Sequence, residues 1–269
     1  MIPSGYLRED RLPHLLCAGC GHGIALQALL RAAEKVNLSR EGTVFVGGIG
    51  CSSRLVNYLN FDSLHTTHGR ALAFATGIKL ARPELRVVVI TGDGDLAAIG
   101  GNHLIHAARR NIGVTVLCLN NENYGMTSGQ YSPTTPRGML ATTAPYGNLD
   151  RPFDLCRLAE AAGATYVARG GVHAVFQLAN FFARALTHDG FALVDVLSPC
   201  PTYFGRRNRL GDGKAMLHWQ QEHAVSLAAA GKKTPEELAG RMVLGEFVRR
   251  EEPEYAAACR ELSRREGAS

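Results

Sequence analysis

No apolar run in the sequence approaches the roughly 18 residues that a membrane-spanning helix requires. The first residues carry Arg8, Glu9, Asp10 and Arg11 where a secretory leader needs its apolar centre. These two absences predict a cytoplasmic protein with no membrane partner. An excess of one charge is also missing, since 29 basic residues face 24 acidic ones for a net charge of +5, with the two signs interspersed. A nucleic-acid binder concentrates its basic residues in a stripe or patch, so no nucleic-acid partner is expected, whereas a small acidic ligand is compatible. Internal repeats and low-complexity stretches are absent as well. What remains, 46% hydrophobic and 20% charged residues, describes one well-packed globular domain with a modest appendage.

Disulfides are not expected, because a reducing compartment keeps thiols free and a core of this size needs no staples. The seven cysteines therefore divide between packing and ligation. Cys118 lies in the apolar run Val114 to Leu119, Cys156 on the apolar side of a helical stretch and Cys259 in a C-terminal helix pattern, so all three read as packing residues. Cys17, Cys20, Cys51 and Cys200 are left. A single Cys-x-x-Cys is compatible with zinc or redox chemistry, and no second pair completes a zinc ribbon. Pro201 after Cys200, and Gly47-Gly48-Ile49-Gly50 before Cys51, favour an iron–sulfur cluster, whose sulfurs accept hydrogen bonds from closely approaching backbone. From these residues alone a four-cysteine zinc site stays open.

Short apolar runs at Thr43 to Val46, Arg86 to Ile90, Val114 to Leu119 and Ala192 to Leu197 alternate with segments of helical periodicity. The helices are expected at Ile24 to Val36, Ala71 to Ala81, Leu104 to Arg110, Asp154 to Ala162 and Val172 to Leu186. Runs such as Val87-Val88-Val89-Ile90, apolar on both faces, suit central strands covered by helices on each side. The pattern predicts a doubly wound α/β fold with a mostly parallel sheet. Residues Asn120 to Asp150 form a long aperiodic loop, a feature usually retained for function. A domain of residues 1–209 is expected to be followed by a helical extension, 210–269, after a polar arm bearing Arg206, Arg207 and Arg209.

Two strand ends carry the clearest chemistry. The run ending at Ile90 leads into Thr91-Gly92-Asp93-Gly94-Asp95, and the run ending at Leu119 leads into Asn120-Asn121-Glu122-Asn123-Tyr124-Gly125. Open α/β sheets bind ligands at the carboxyl ends of their strands, where glycines and helix N-termini receive phosphate. Asp93 offers an anionic oxygen, Asn121 an amide oxygen and Asn123 a main-chain carbonyl, a donor set suited to Mg²⁺ on a diphosphate.

Gly92-Asp93-Gly94 with Asn120-Asn121 resembles the thiamine-diphosphate signature. Asn123-Tyr124-Gly125-Met126-Thr127-Ser128-Gly129-Gln130 resembles its continuation in the beta subunits of 2-oxoacid:ferredoxin oxidoreductases, and the likeness runs over about residues 15 to 205. The resemblance implies Mg²⁺ on Asp93, Asn121 and the Asn123 carbonyl, with thiamine diphosphate lined by Ile49, Gly50, Ser52, His68, Gly94, Asp95, Gly125 and Met126. It implies one four-iron four-sulfur cluster on Cys17, Cys20, Cys51 and Cys200, and a substrate carboxylate held by Arg54. Ser128 stands where relatives often carry Lys, while His22, His65 and Arg70 receive no role.

Partners are implied too. The family takes the glutamate that activates thiamine from an alpha subunit, uses coenzyme A as acyl acceptor and ferredoxin as electron outlet. A thiamine adduct that has lost CO₂ is a strong reductant, and an adjacent cluster can remove its electrons singly. The expected activity is therefore oxidative decarboxylation of a 2-oxoacid. Arg54 and Thr66-Thr67-His68-Gly69-Arg70 look most like the 2-oxoglutarate enzymes, with pyruvate and branched-chain 2-oxoacids as alternatives. Two further alternatives are a nonoxidative thiamine decarboxylase with a structural zinc and a noncatalytic metal-binding scaffold.

Overall fold

The computed structural model describes residues 4–267. The valine-rich run forms β3 (Arg86–Gly92), in which β-branched side chains alternate between the two faces. Val88 and Ile90 join a core built with α1 (His22–Lys35) and α5 (Val175–Thr187). Val87 and Val89 join a second core with α2 (Ala71–Ala81), α3 (Gly101–Arg109) and α4 (Leu155–Ala161). Helices thus cover both faces, as the apolar runs predict. The α4 helix begins where expected because the Asp154 carboxylate accepts from the Cys156 and Arg157 amides, at 3.0 and 3.2 Å, and so caps it.

The other strands are β1 (Thr43–Gly47), β2 (Asp62–His65), β4 (Val114–Asn120), β5 (Asn123–Tyr124), β6 (Gln130–Tyr131), β7 (Tyr166–Gly171), β8 (Ala192–Leu197), β9 (Ala224–Ser226) and β10 (Met242–Arg249). The remaining helices are α6 (Gly213–His223), α7 (Leu227–Ala230) and α8 (Tyr255–Gly267). Eight strands form one sheet in the order β2-β1-β3-β4-β8-β7-β10-β9, while β5 and β6 make a separate hairpin. Every pairing in the large sheet is parallel except β7 with β10. The chain leaves β1 for β2 on one side and returns to β3 on the other, which opens a crevice beyond the carboxyl ends of β1 and β3. The carboxyl ends of β1, β3, β4 and β8 lead to Cys51, Asp93, Asn121 and Cys200 respectively.

Several elements depart from the sequence reading. The extension is not only helical, because β10 adds to the large sheet antiparallel to β7, and β9 pairs beside it. Charged residues on both sides of Met242–Arg249 disguise that strand, whose Phe247 lies over the guanidinium groups of Arg157 and Arg169 at 5.5 Å each. The strand β7 was hidden by Arg169, which interrupts the apolar pattern. Its charge is matched by Asp154 at 2.6 Å and by the fully buried Asp195 at 2.7 Å. Cys118 and Cys156 are buried as expected, but Cys259 is exposed on α8 and packs in no core. Before α3 the chain makes a π-helical turn, Asp95–Ile99, that periodicity does not reveal. No helix among the described residues is long and apolar enough to cross a membrane.

Arg169 holds β7 to β8 and to the start of α4. Removing it leaves the Asp195 carboxylate buried without a counter-charge, which costs about 3–5 kcal/mol. We expect Arg169→Leu to lower the urea unfolding free energy by about that amount. A loss under about 1 kcal/mol would show that the pair is dispensable.

Candidate functional site

The crevice is organised by Asp95, whose side chain is 2% exposed. Its Oδ1 accepts from the Gly69 amide at 2.7 Å and the Ile49 amide at 3.3 Å, and lies 2.5 Å from His68 Nδ1. Its Oδ2 accepts from the Thr91 hydroxyl at 2.7 Å. Residues that are far apart in sequence are thereby pinned to one carboxylate. The glycine before Ile49 is required here, since a methyl group on Gly48 would overlap the Asp95 carboxylate. Likewise a methyl group on Gly94 would enter the ring of Tyr124, whose hydroxyl reaches the Gly94 carbonyl at 3.3 Å. With Nδ1–H given to Asp95, a neutral His68 offers Nε2 only as an acceptor. Donation from that edge to an anion therefore needs the imidazolium form.

Asp93 is buried beside it, and burial pushes its carboxyl above the usual range although Thr134 donates to Oδ2 at 2.7 Å. The Asn121 side-chain amide ends 2.7 Å from the Asn123 carbonyl oxygen and 3.3 Å from Asp93 Oδ1. With nitrogen inward the amide donates to both. With oxygen inward three oxygens converge, an arrangement that a cation reconciles. Between them Glu122 takes φ 60, and this left-handed residue turns the Asn121 side chain and the Asn123 carbonyl toward one point. Burial pushes the Glu122 carboxyl up to about 8. The expected long loop is well tied, with Thr135 donating to the Glu122 carbonyl at 2.5 Å and the Asn148 amide to the Thr135 carbonyl at 2.8 Å.

Two cavities meet at this crevice. The first, about 170 Å³, is lined by all the residues expected around thiamine diphosphate, namely Ile49, Gly50, Ser52, His68, Gly94, Asp95, Gly125 and Met126, together with Asp93, Asn121 and Asn123. The second, about 250 Å³, is lined by Cys17, Cys20, Cys51, Cys200 and Arg54. Cys51, Asn121, Gly125 and Met126 belong to both walls. Burial pushes the Cys20 thiol up to about 12, with Cys200, Cys51 and Cys17 adding to the shift. Among the described residues no three His, Cys, Asp or Glu side chains approach closely enough to share one metal ion. The four thiols therefore surround a space rather than close on a point. Arg54 is exposed in the cysteine cavity, not in the first one, and forms no ion pair among the described residues.

A family model described as the C-terminal thiamine-pyrophosphate-binding domain of thiamine pyrophosphate enzymes matches residues 48–196. The chain is 53% identical to the 2-oxoglutarate synthase subunit KorB of Methanocaldococcus jannaschii over 96% of its own length and 95% of that protein. It belongs to the beta subunits of the 2-oxoacid:ferredoxin oxidoreductases. A more distant beta-subunit relative, the 2-oxoglutarate oxidoreductase subunit KorB of Mycobacterium tuberculosis, is 48% identical over 70% of this chain and 50% of that protein. The solved 2-oxoglutarate:ferredoxin oxidoreductase of Magnetococcus marinus, with 2-oxoglutarate, coenzyme A and succinyl-CoA bound, superposes with a TM-score of 0.88 at 33% identity, covering 99% of this chain and 91% of that one. This beta subunit is thus an oxidoreductase subunit of the thiamine-binding fold, and its family implies an alpha partner.

Sequence reasoning missed several residues that shape the beta subunit's site. His22 lines the first cavity and is 1% exposed, with Nδ1 2.7 Å from the Ser198 hydroxyl, and burial pushes it down to about 4. Thr134 and Ser198 carry no motif and are recognisable only once the loop and β8 are folded against Asp93 and His22. The glycine cradle gives a direct test. We expect Gly48→Ala to displace the Asp95 carboxylate and weaken thiamine diphosphate binding at least about tenfold by calorimetry, the scale of one charged hydrogen bond. Unchanged affinity would mean that Asp95 does not shape the cofactor cavity.

Proposed function

We propose that this chain is the thiamine- and cluster-bearing subunit of an enzyme that oxidatively decarboxylates 2-oxoglutarate, forms succinyl-CoA and passes two electrons to ferredoxin. One observation carries the reading: the cavity with the diphosphate-type donor set and the cavity with four thiols share a wall. A redox group placed there can take electrons directly from the reacting centre. The relatives named for 2-oxoglutarate support the choice of substrate.

The residues present suit the groups that the family implies. Asp93, the Asn121 amide oxygen and the Asn123 carbonyl would hold Mg²⁺, since oxygens around an octahedral ion at 2.0–2.1 Å stand roughly 3 Å apart, close to the 2.7 and 3.3 Å separations seen here. The ion would also relieve the buried charge of Asp93. Cys17, Cys20, Cys51 and Cys200 would hold a four-iron four-sulfur cluster. A space of about 250 Å³ between thiols too far apart for one ion favours a multi-atom group over structural zinc. When bound, thiamine diphosphate supplies the electron sink for decarboxylation and the cluster supplies one-electron steps. The chain's own contribution is placement. Asp95 fixes the Ile49 backbone at the cofactor wall and the Gly69 backbone before α2, Gly125 and Met126 line both cavities, and Arg54 offers a cation beside Cys51 to a substrate carboxylate. The activating glutamate comes from the alpha subunit.

Anaerobic co-purification with the alpha subunit tests the whole reading. The complex should contain iron, sulfide and thiamine diphosphate and should reduce ferredoxin with 2-oxoglutarate and coenzyme A. Zinc without iron would instead support the nonoxidative decarboxylase, and absence of bound thiamine the scaffold. Asp93→Ala should abolish the Mg²⁺-dependent part of cofactor affinity.

Arg54 provides a separate test. Loss of a charged hydrogen bond to a carboxylate lowers kcat/KM roughly tenfold to a hundredfold. Arg54→Met should impose that loss on 2-oxoglutarate and spare 2-oxobutyrate, which lacks the distal carboxylate. Equal losses would assign Arg54 to the carboxylate that both share, and no loss would leave it a solvated residue.

A further inference from the structure

His22 has no part in the reading above, yet it stands where both cavities are built. It opens α1, two residues after Cys20, and it is among the residues that line the thiamine cavity, with 1% of the residue exposed. Ser198, two residues before Cys200, holds Nδ1 at 2.7 Å. Ser198 is 2% exposed, and its hydroxyl has no other hydrogen-bond partner among the described residues. If Nδ1–H donated to it, the hydroxyl hydrogen would be buried without an acceptor; if the hydroxyl donates, both groups are satisfied. The second arrangement leaves the ring proton on Nε2. That atom makes no hydrogen bond within the described chain, on a residue that lines the cavity.

We propose that His22 is a substrate-binding residue whose Nε2–H donates to an oxygen at the reacting end of the 2-oxoacid, the 1-carboxylate or 2-oxo group. The assignment rests on the thiamine-enzyme reading of the first cavity. Arg54 lies in the neighbouring cavity, so the two residues address different ends of the substrate. Every 2-oxoacid has the reacting end, and the contribution of His22 is therefore independent of the rest of the molecule. The competing role is a strut: the His22–Ser198 contact, with the Gly21 amide donating to the Pro199 carbonyl at 3.1 Å, joins the segments bearing Cys20 and Cys200.

Two amides separate these roles, because Asn places its amide near the Nδ1 position of histidine and Gln near Nε2. His22→Asn keeps the strut and loses the cavity donor; His22→Gln does the reverse. The measurement uses the complex with the alpha subunit, filled with the unreactive analogue 3-deazathiamine diphosphate, and reads the Kd of 2-oxoglutarate and 2-oxobutyrate by calorimetry. Iron content and the electron paramagnetic resonance spectrum of the reduced cluster are recorded alongside. We expect His22→Asn to weaken both ligands by the same factor, about tenfold or more, with iron and spectrum unchanged, and His22→Gln to stay within about threefold of wild type. Wild-type affinity in His22→Asn, loss of iron from it, or weakening of one ligand alone would overturn the proposal. Wild-type complex that binds neither the analogue nor 2-oxoglutarate would overturn the functional reading itself, and this inference with it.

Discussion

A carboxylate taken out of water must be met by donors, and Asp95 draws its four from the loop after β1, the turn before α2 and the end of β3. That one requirement sets the backbone course on three sides of the crevice. It forces glycine at position 48, places Ile49 and Gly50 at the cavity wall and fixes which edge of His68 remains free.

Much of this arrangement was legible in the sequence because parallel α/β sheets place their chemistry at strand ends. Gly92-Asp93-Gly94 and Asn120-Asn121 could be located from the apolar runs before them, and the four ligand-type cysteines were separable from Cys118 and Cys156 by pattern alone. What escaped were elements whose signals cancel. The strand β7 contains a cation that is neutralised only in three dimensions, by Asp154 and Asp195. Met242–Arg249 lies among charged segments and finds its partner strand about 80 positions earlier in the chain. Cys259 has the spacing of a buried helix residue, but α8 turns that position to solvent. Ser198 and Thr134 matter through contacts with residues distant in sequence, and no local periodicity encodes such contacts.

The two cavities are not independent features that happen to adjoin. Asn121 contributes to the oxygen cluster and to the cysteine wall, and Gly125 and Met126 line the same two spaces. The strained Glu122 between Asn121 and Asn123 is the local cost of pointing both groups inward, and the tied loop from Ser132 to Asn148 over-determines it. Backbone strain, buried charge and shared walls thus concentrate at one crevice while the helices outside it obey ordinary packing rules.

The cysteine cavity also draws on widely separated parts of the chain. Cys17 and Cys20 precede β1, Cys51 follows it, and Cys200 arrives only after β8 is inserted between β4 and β7. A nascent chain that ends before β8 can present three of the thiols at most. The four thiols therefore meet only where β8 lies against β4, and a group that bridges them joins segments drawn from both ends of the domain. Such a bridge would fasten the amino-terminal arm to the end of β8 in the middle of the sheet, acting as a clasp between segments distant in the chain.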